Sequence, residues 1–197
     1  MQILIASGNQ GKIAEIGAAL QGCNVQLRSV LDLDPHFDPP ETGATLRENA
    51  EIKARAALLR APSHSAALAD DTGLYVDALD GEPGLRAARY AGVHCSFEDN
   101  IAKLLAALAG VPPERRGARF VTVLALARPG AATLFFEGAC AGRIAAEKHG
   151  AEGFGYDPIF FVPAVNKTFA EMSLLEKEAV SHRGAALRNF AAWLQSR

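Results

Sequence analysis

A polar loop near the start of the chain has residue types that bind phosphate. The apolar segment Ile3-Leu4-Ile5-Ala6 leads into Ser7-Gly8-Asn9-Gln10-Gly11-Lys12, and a helical pattern follows. Glycines let a backbone approach a ligand closely, a helix start offers N–H groups with partial positive charge, and Lys12 adds a full charge. The spacing is not that of a Walker A loop, which ends in Gly-Lys-Ser/Thr. An ordinary strand-to-helix turn with a surface lysine is the alternative.

Lys53 is the second candidate, because it falls within an apolar helical stripe. Leu46, Ala50 and Ala57 define that stripe at about 100° per residue. An ammonium group there either reaches the surface along its four-carbon stem or binds an anion. A phosphate oxygen would be a natural partner in the second case.

An acidic pair, Asp70 and Asp71, ends an apolar run over residues 66–69. Open α/β sheets bind ligands at such strand ends, and adjacent carboxylates suit a hard cation. Side chains alternate in extended chain, so we expect one carboxylate to face the site and the other to accept backbone N–H bonds. Glu41, in a proline-rich loop, is a second candidate ligand for Mg²⁺. The alternative is turn chemistry, for which Asp-Asp-Thr-Gly is also typical.

The segment Gly153-Phe154-Gly155-Tyr156-Asp157-Pro158 suggests a site for a stacked base. Two glycines bracket an aromatic residue, and a carboxylate precedes a proline that restricts its backbone. Aromatic side chains stack on bases, and a neighbouring carboxylate can accept hydrogen bonds from ring or sugar donors. Packing of these aromatics into the core is the alternative, because Ile159, Phe160 and Phe161 follow directly.

Hydrogen-bond donors gather near the start of the last predicted helix. They are Lys177 and the run Ser181-His182-Arg183-Gly184, and the neighbouring sequence supplies no carboxylates at matching positions. Donors without acceptors predict an acceptor-rich ligand. The alternatives are solvated Lys177 and Arg183 side chains, and a His182 that packs under Ala186 and Phe190.

Composition narrows the class of protein. The chain has 197 residues, 49% hydrophobic and 21% charged, which fits one globular domain spanning residues 1–197. A formal net charge of −2 gives no basic surface for long nucleic acid. We find neither an apolar stretch long enough to span a membrane nor a targeting signal. The separated Cys23, Cys95 and Cys140 suggest neither disulfides nor a zinc site, and we expect reduced thiols and a cytoplasmic location.

The elements that must position these residues follow from periodicity and turn residues. Strand 3–6, a helix containing Ile13, Ile16 and Leu20, and strand 24–27 form a βαβ start. Thr45 and Glu48 predict a capping box for a helix that ends near Arg60. The further predicted elements are strands 66–69 and 74–76, helix 97–108, strand 118–127, a turn at Pro129-Gly130, strand 133–142, a loop over 153–161 and a C-terminal helix ending near Leu194. Two lobes around a cleft would bring the polar segments together.

Seven motifs in one order resemble the inosine triphosphate pyrophosphatase family, the Ham1/RdgB-like pyrophosphatases of non-canonical purine nucleotides. The resemblance covers nearly the whole chain. The motifs are the loop over residues 7–12, Glu41-Thr42-Gly43, Asn49 with Lys53-Ala54-Arg55, Ala69-Asp70-Asp71-Thr72-Gly73-Leu74, Ala88-Arg89-Tyr90-Ala91-Gly92, the segment over residues 153–158 and Ser181-His182-Arg183-Gly184. Two differences from the family pattern are Thr72, where serine is more usual, and Ala87, where many relatives have serine.

The resemblance implies an α/β fold with a central elongated mixed β-sheet flanked by helices, in two lobes around an active-site cleft. It also implies Mg²⁺-dependent hydrolysis of dITP, ITP and XTP to the monophosphate and pyrophosphate by a cytoplasmic homodimer. Glu41 and Asp71 would bind the metal, with Asp71 as proton acceptor. The implied substrate-binding residues are Ser7, Gly8, Asn9, Gln10, Gly11, Lys12, Lys53, Thr72, Phe154, Gly155, Tyr156, Asp157, Lys177, His182 and Arg183.

Two other functions fit part of the pattern. A Maf-like pyrophosphatase also opens with a strand, a serine-containing loop and a lysine, but it does not predict the segment over residues 153–157. A nucleotide-sensing module that does not hydrolyse its ligand would gain little from carboxylates near phosphates, which argues against it.

Overall fold

A computed structural model of the protein describes residues 1–61 and 66–196. Within these ranges the chain forms eight strands and five α-helices. The strands are β1 (Gln2–Ala6), β2 (Gln26–Ser29), β3 (Ala66–Val76), β4 (Pro83–Gly84), β5 (Gly117–Ala127), β6 (Leu134–Ile144), β7 (Phe160–Val162) and β8 (Lys167–Thr168). The helices are α1 (Gln10–Ala19), α2 (Leu46–Arg60), α3 (Phe97–Ala107), α4 (Leu174–Val180) and α5 (His182–Gln195).

The strands form one mixed sheet, as the sequence predicts. Its order is β2-β1-β3-β5-β6-β7-β8, and β4 pairs with β3. The pairs β1–β2 and β1–β3 are parallel, whereas β3–β4, β6–β7 and β7–β8 are antiparallel. The predicted βαβ start is therefore present, with β2 two residues later in the chain than predicted.

Capping side chains set the starts of the helices that carry site residues. Asn9 caps α1 by accepting a hydrogen bond from the Lys12 N–H. Thr45 caps α2 by accepting the Glu48 N–H, but the Glu48 carboxylate bonds to the Ala44 N–H at 2.6 Å. In a capping box this carboxylate accepts the N–H of the N-cap residue itself. Here it accepts the N–H of the residue before the N-cap instead. The predicted start and end of α2 are confirmed.

The predicted break at the acidic pair is wrong, because β3 continues through it to Val76. The parallel partner β1 ends at Ala6, opposite Ala69, so Asp70 lies one residue beyond that pairing. Both carboxylates are paired with cationic side chains, which permits buried aspartates within a strand. The acidic pair therefore lies past the end of β1 but inside β3.

The C-terminal region also differs from its prediction. Residues 174–195 form two helices rather than one, because Ser181 ends α4 in an extended conformation and α5 begins at the next residue. Lys177 therefore belongs to α4. The expected loop over residues 153–161 ends in a 3-10 turn (Asp157–Ile159) and the start of β7.

Two compact units make up the chain, each with its own core. The first comprises residues 1–71, 122–138 and 183–197, and the second residues 72–121 and 139–182. The first core includes Ile3, Ile16, Leu68, Leu124 and Phe190. The second includes Leu74, Leu104, Phe120, Tyr156 and Phe160. The predicted single domain of residues 1–197 remains a prediction, and it includes residues 62–65 and 197, outside the described ranges.

No helix in residues 1–61 and 66–196 is long and apolar enough to cross a membrane. Within the same ranges, the three cysteines form no disulfide.

Arg116 stabilises the second unit by binding backbone carbonyls. Its guanidinium donates to the Val111 oxygen at 2.8 Å, to the Leu108 oxygen at 3.0 Å and to the Ala145 oxygen at 3.3 Å. Leu108 is the C-cap residue of α3, where carbonyls lack helical partners. Arg116 thus satisfies the end of α3 and ties it to the segment after β6.

We expect Arg116→Ala to lower the free energy of unfolding by about 2 kcal/mol or more, since buried carbonyls would lose their donors. Urea denaturation monitored by circular dichroism would measure the change. Arg115→Ala is the control, because Arg115 is exposed. Equal stability of the two variants would show that the carbonyl contacts do not hold α3.

Candidate active site

The loop over residues 7–12 is ordered by bonds within itself. The Ser7 hydroxyl accepts the Asn9 N–H at 3.1 Å, and the Asn9 side chain accepts the Lys12 N–H at 3.1 Å. Gln10 and Gly11 are the first two residues of α1. Ser7 is buried, whereas Gly8 is exposed. The strand-loop-helix arrangement expected of a phosphate-binding loop is therefore present, with its serine and asparagine used to shape the backbone.

Asp70 lies at the centre of a buried ion-pair group in the first unit. Its carboxylate pairs with Lys12 of α1 and accepts a 2.8 Å bond from Nε of Arg183 in α5. Arg183 also pairs with Glu15 of α1. Burial alone would raise the pKa of Asp70, but Arg183 and Lys12 hold it well below its ordinary range. Asp70 is therefore a permanent anion that joins β3 to two helices.

Asp71 belongs to a second charged group, which faces α2. Its Oδ1 lies 2.5 Å from Nζ of Lys53, and the same nitrogen lies 3.1 Å from Oε1 of Glu41. Burial lowers the pKa of Lys53, but Asp71 and Glu41 together raise it above its ordinary value. Burial raises the pKa of Asp71, although Lys53 opposes this. Lys53 thus keeps its charge, while Asp71 holds a proton more readily than an exposed aspartate.

The loop that carries Glu41 is anchored to α2 by Asn49. The buried Asn49 side chain accepts the Gly43 N–H at 2.8 Å. A Cβ on Gly43 would lie 2.6 Å from Cβ of Glu48 and 2.8 Å from Oδ1 of Asn49, so a side chain there would displace the loop. This contact explains why glycine follows Glu41-Thr42.

The aromatic segment over residues 153–158 is held by Asp157 in the second unit. Its Oδ2 accepts the Phe154 N–H at 2.8 Å and a 2.5 Å bond from Nζ of Lys177. That ammonium also lies 4.8 Å from the centre of the Phe154 ring. Gly153 has φ +77°, and a Cβ there would lie 2.0 Å from the Asp157 carboxylate. Asp157 therefore shapes the loop and positions both neighbours.

The two aromatic residues of this segment differ in environment. Phe154 is half-buried, whereas Tyr156 is only 5% exposed and belongs to the core of the second unit. The Tyr156 hydroxyl donates to the Ala87 carbonyl at 2.8 Å. The alternative of core packing is thus correct for Tyr156, and Phe154 is the ring that can stack on a ligand.

Ser181 and His182 are the last candidate site residues of the second unit. The buried His182 ring stacks on Phe120, with centroids 4.5 Å apart, and lies 5.8 Å from Phe169. Helical spacing, which suggests Ala186 and Phe190 as partners, does not predict these two ring contacts. The Ser181 N–H bonds to the Lys177 carbonyl at 2.8 Å.

The expectation that Lys177 and Arg183 lack carboxylate partners is wrong. Asp157 pairs with Lys177, and Asp70 and Glu15 pair with Arg183. Each partner lies far away along the chain, so local sequence spacing could not reveal it. The sequence predicts that one carboxylate of the acidic pair accepts backbone N–H bonds. It does not predict that this carboxylate, Asp70, pairs with Arg183 and Lys12.

Sequence reasoning missed Glu15 and gave Asn49 no role in the site. Glu15 had no signal, since an acidic residue on a helix is usually solvated. Asn49 had one, because a polar side chain next to Ala50 falls close to the apolar stripe of α2. Asp70 was recognised as a carboxylate, but its pairing with two cations depends on the tertiary structure.

Thr72 lies in β3, directly after Asp71, and is partly buried.

The donor set of the first unit suits a divalent cation bound with a phosphate. Oxygens of Glu41 and Asp71 contact one nitrogen, so a cation already lies between these carboxylates. Residues 1–61 and 66–196 contain no group of three or more His, Cys, Asp or Glu side chains that could hold a metal. Mg²⁺ commonly uses one or two carboxylates and substrate phosphates, which fits this pair.

Comparison with known proteins agrees with the resemblance noted in the sequence. The model of the Ham1 family matches residues 3–193. The chain belongs to the Ham1 family. A relative from Exiguobacterium sibiricum, described as a dITP/XTP pyrophosphatase, is 46% identical over 98% of this chain and 97% of its own.

Two solved structures of Ham1 proteins share the fold along the whole chain. The protein from Coxiella burnetii superimposes with a TM-score of 0.88 at 39% identity and covers 100% of both chains. The Staphylococcus aureus protein gives a TM-score of 0.84 at 43% identity, over 100% of this chain and 99% of its own. The family therefore accounts for the mixed sheet and its flanking helices.

We expect Asp70→Asn to destabilise the protein in a pH-dependent way. At pH 7 the loss should be about 3–5 kcal/mol, because Lys12 and Arg183 would lose a buried partner. The folded pKa of Asp70 is depressed, so its contribution is fully present above its unfolded pKa of about 4 and declines progressively as pH falls from that value through the folded pKa.

Urea titrations of wild type and variant at pH 7 and pH 3 would measure this difference, which should shrink at pH 3. Asp34→Asn is the matched control, since Asp34 pairs with Arg60 at the surface and should matter little at either pH. A loss of equal size at both pH values would contradict the assignment.

Proposed function

We propose that this protein hydrolyses non-canonical purine nucleoside triphosphates, namely dITP, ITP and XTP, to the monophosphate and pyrophosphate. The observation that carries the proposal is the group of Asp71, Glu41 and Lys53 beside a strand-loop-helix junction, in a chain whose relatives are described as dITP/XTP pyrophosphatases. Such an activity would remove altered nucleotides from the pool.

Glu41 and Asp71 would hold Mg²⁺ together with substrate phosphate oxygens. When bound, this ion offsets phosphate charge and polarises the phosphorus that is attacked. The carboxylate pair supports the assignment, because two such groups satisfy the protein's share of a magnesium site.

Asp71 orients the attacking water and accepts its proton. The water oxygen bonds to the α-phosphorus, the α–β phosphoanhydride bond breaks, and pyrophosphate leaves with the bonding electrons. In the metal-free protein, burial raises the pKa of Asp71 above that of an exposed aspartate, which supports its assignment as the proton acceptor. No covalent intermediate is required.

Lys12, Lys53 and the loop over residues 7–12 bind the phosphates that leave. Lys53 stays protonated, because its carboxylate neighbours raise its pKa. Ser7 and Asn9 preserve the loop conformation in which Gly8, Gln10 and Gly11 present their backbone. Stabilisation of charge on the departing group is the main contribution of such residues.

The second unit's residues bind the base. Phe154 stacks on the purine, Asp157 and Gly155 maintain the loop, and Lys177 adds a cation beside the ring. Thr72 binds the same nucleotide, whereas the buried Tyr156 supports the segment by anchoring it to the Ala87 carbonyl.

Selectivity rests on the group at position 6 of the purine. Hypoxanthine and xanthine present a carbonyl acceptor there, whereas adenine presents an amino donor, so a donor in the site discriminates between them. His182 and Arg183 are the proposed donors. His182 is the stronger candidate, since it belongs with Phe154 to the second unit, while Arg183 binds Asp70 and Glu15 in the first.

We also propose that the protein is a cytoplasmic homodimer. The cysteines are odd in number and far apart in the sequence, which favours reduced thiols in a reducing compartment. Sedimentation analysis would test the dimer directly.

Pyrophosphate release from purified protein tests the function. We expect ITP, dITP and XTP to be hydrolysed with Mg²⁺, loss of activity with excess chelator, and much slower hydrolysis of ATP and GTP. Hydrolysis of modified pyrimidine nucleotides instead would favour a Maf-like specificity. Binding of ITP without pyrophosphate release would favour a sensing module.

We expect Asp71→Asn to reduce kcat at least about 100-fold, because it removes the charge but keeps the side-chain shape. Nucleotide binding should remain measurable by calorimetry. Asp38→Asn, which neutralises an exposed carboxylate in the loop before Glu41, is the control and should keep full activity. Full turnover by Asp71→Asn would exclude Asp71 as the proton acceptor.

A further inference from the structure

The first turn of α3 contacts the segment that binds the base. This turn, residues 97–100, was not assigned to the site by its sequence. Its start is rigid, since Ser96 and Asp99 form a complete capping box. Phe97 and Asn100 are three residues apart, so they share one face of the helix.

Phe97 contacts Phe154 directly. The ring centroids lie 6.2 Å apart with planes tilted by 42°, within the range of favourable aromatic pairs. Phe97 is 44% exposed and lies outside the core cluster of the second unit. A large apolar ring that remains this exposed contributes little to the core, so its contact with Phe154 calls for another explanation.

Asn100 acts on the same segment through the backbone of residues 87–91. Its buried amide donates to the Ala88 carbonyl at 3.1 Å and accepts the Ala91 N–H at 2.7 Å. The neighbouring Ala87 carbonyl is the acceptor for the Tyr156 hydroxyl. Asn100 therefore fixes the backbone to which Tyr156 is attached.

We propose that the first turn of α3 positions the base-binding segment, Phe97 through its contact with the stacking ring of Phe154 and Asn100 through the backbone that holds the buried Tyr156. This inference rests on the proposed function, because it takes residues 153–157 as the base site. Phe97 is a positioning residue, since it acts by limiting the orientations of the Phe154 ring. The contacts of Asn100 also give a structural role to the motif over residues 88–92, which has no role in the proposed reaction.

The test compares a ligand that has a base with one that lacks it. We would measure binding of IMP and of imidodiphosphate by calorimetry, and kcat and KM for ITP, in Phe97→Ala, Phe97→Leu and Tyr156→Phe. Phe97→Ala should weaken IMP binding and raise KM by about 2- to 10-fold, the size expected from loss of an aromatic pair. Its kcat and its binding of imidodiphosphate should stay within twofold of wild type, taken as roughly the limit of such measurements.

Phe97→Leu should recover part of the affinity, and Tyr156→Phe should weaken IMP binding in the same selective way. Leu175→Ala is the control, because Leu175 is an exposed apolar residue of the same unit and should change nothing. Thermal unfolding of each variant would separate a positioning effect from a loss of folded protein.

The inference is overturned if Phe97→Ala binds IMP as wild type does, or if it weakens imidodiphosphate binding by the same factor. Absence of IMP binding to the wild type would also overturn it. If the wild type releases no pyrophosphate from ITP but binds IMP in a Phe97-dependent way, the proposed function fails while the positioning role stands.

Discussion

The buried contact of Asp70 with Lys12 and Arg183 organises the first unit. Three elements meet there, since Asp70 lies in β3, Lys12 in α1 and Arg183 in α5. A buried carboxylate without these partners would be strongly unfavourable, so the two helices must adopt the positions that neutralise it. The loop over residues 7–12 lies between β1 and α1, so the same contact sets where its lysine is held.

Alternation along β3 then gives two adjacent aspartates opposite properties. Consecutive side chains of a strand point to opposite faces. Asp70 contacts α1 and α5, and its pKa falls, whereas Asp71 contacts Lys53 of α2 and Glu41, and its pKa rises. Environments that separate the pKa values of neighbouring carboxylates commonly assign them different tasks. Asp70 joins the elements of the first unit, and Asp71 is the carboxylate that we propose as the proton acceptor.

The second unit holds the aromatic ring of Phe154 partly exposed and in a defined orientation. Asp157 fixes the backbone of Phe154 and the ammonium of Lys177, while Tyr156 anchors the same segment in the core. The half-buried ring thus depends on buried polar contacts made by residues that follow it in the chain. Such preorganisation lowers the entropy lost when a ligand binds.

Much of this protein could be predicted from local sequence. Periodicity and capping residues gave the bounds of α2, α3 and β5 closely, because these depend on neighbours within a few residues. Seven motifs in order were enough to indicate the Ham1 family and every proposed ligand of the metal. Except for Glu15, the carboxylates and lysines of the candidate site, together with Phe154 and Tyr156, were recognised by type and spacing.

Only the tertiary structure decided which charges meet. Glu15, Asp70 and Arg183 are separated by long stretches of chain, so their pairing follows from how β3, α1 and α5 pack. The same applies to Asp157 with Lys177, and to the stacking of His182 on Phe120. The continuation of β3 through its acidic pair was also unpredictable, because a strand can hold two buried carboxylates only if distant cations neutralise them. The sequence by itself determined the chemical groups and the elements that carry them, whereas packing determined their partners, their pKa values and their roles.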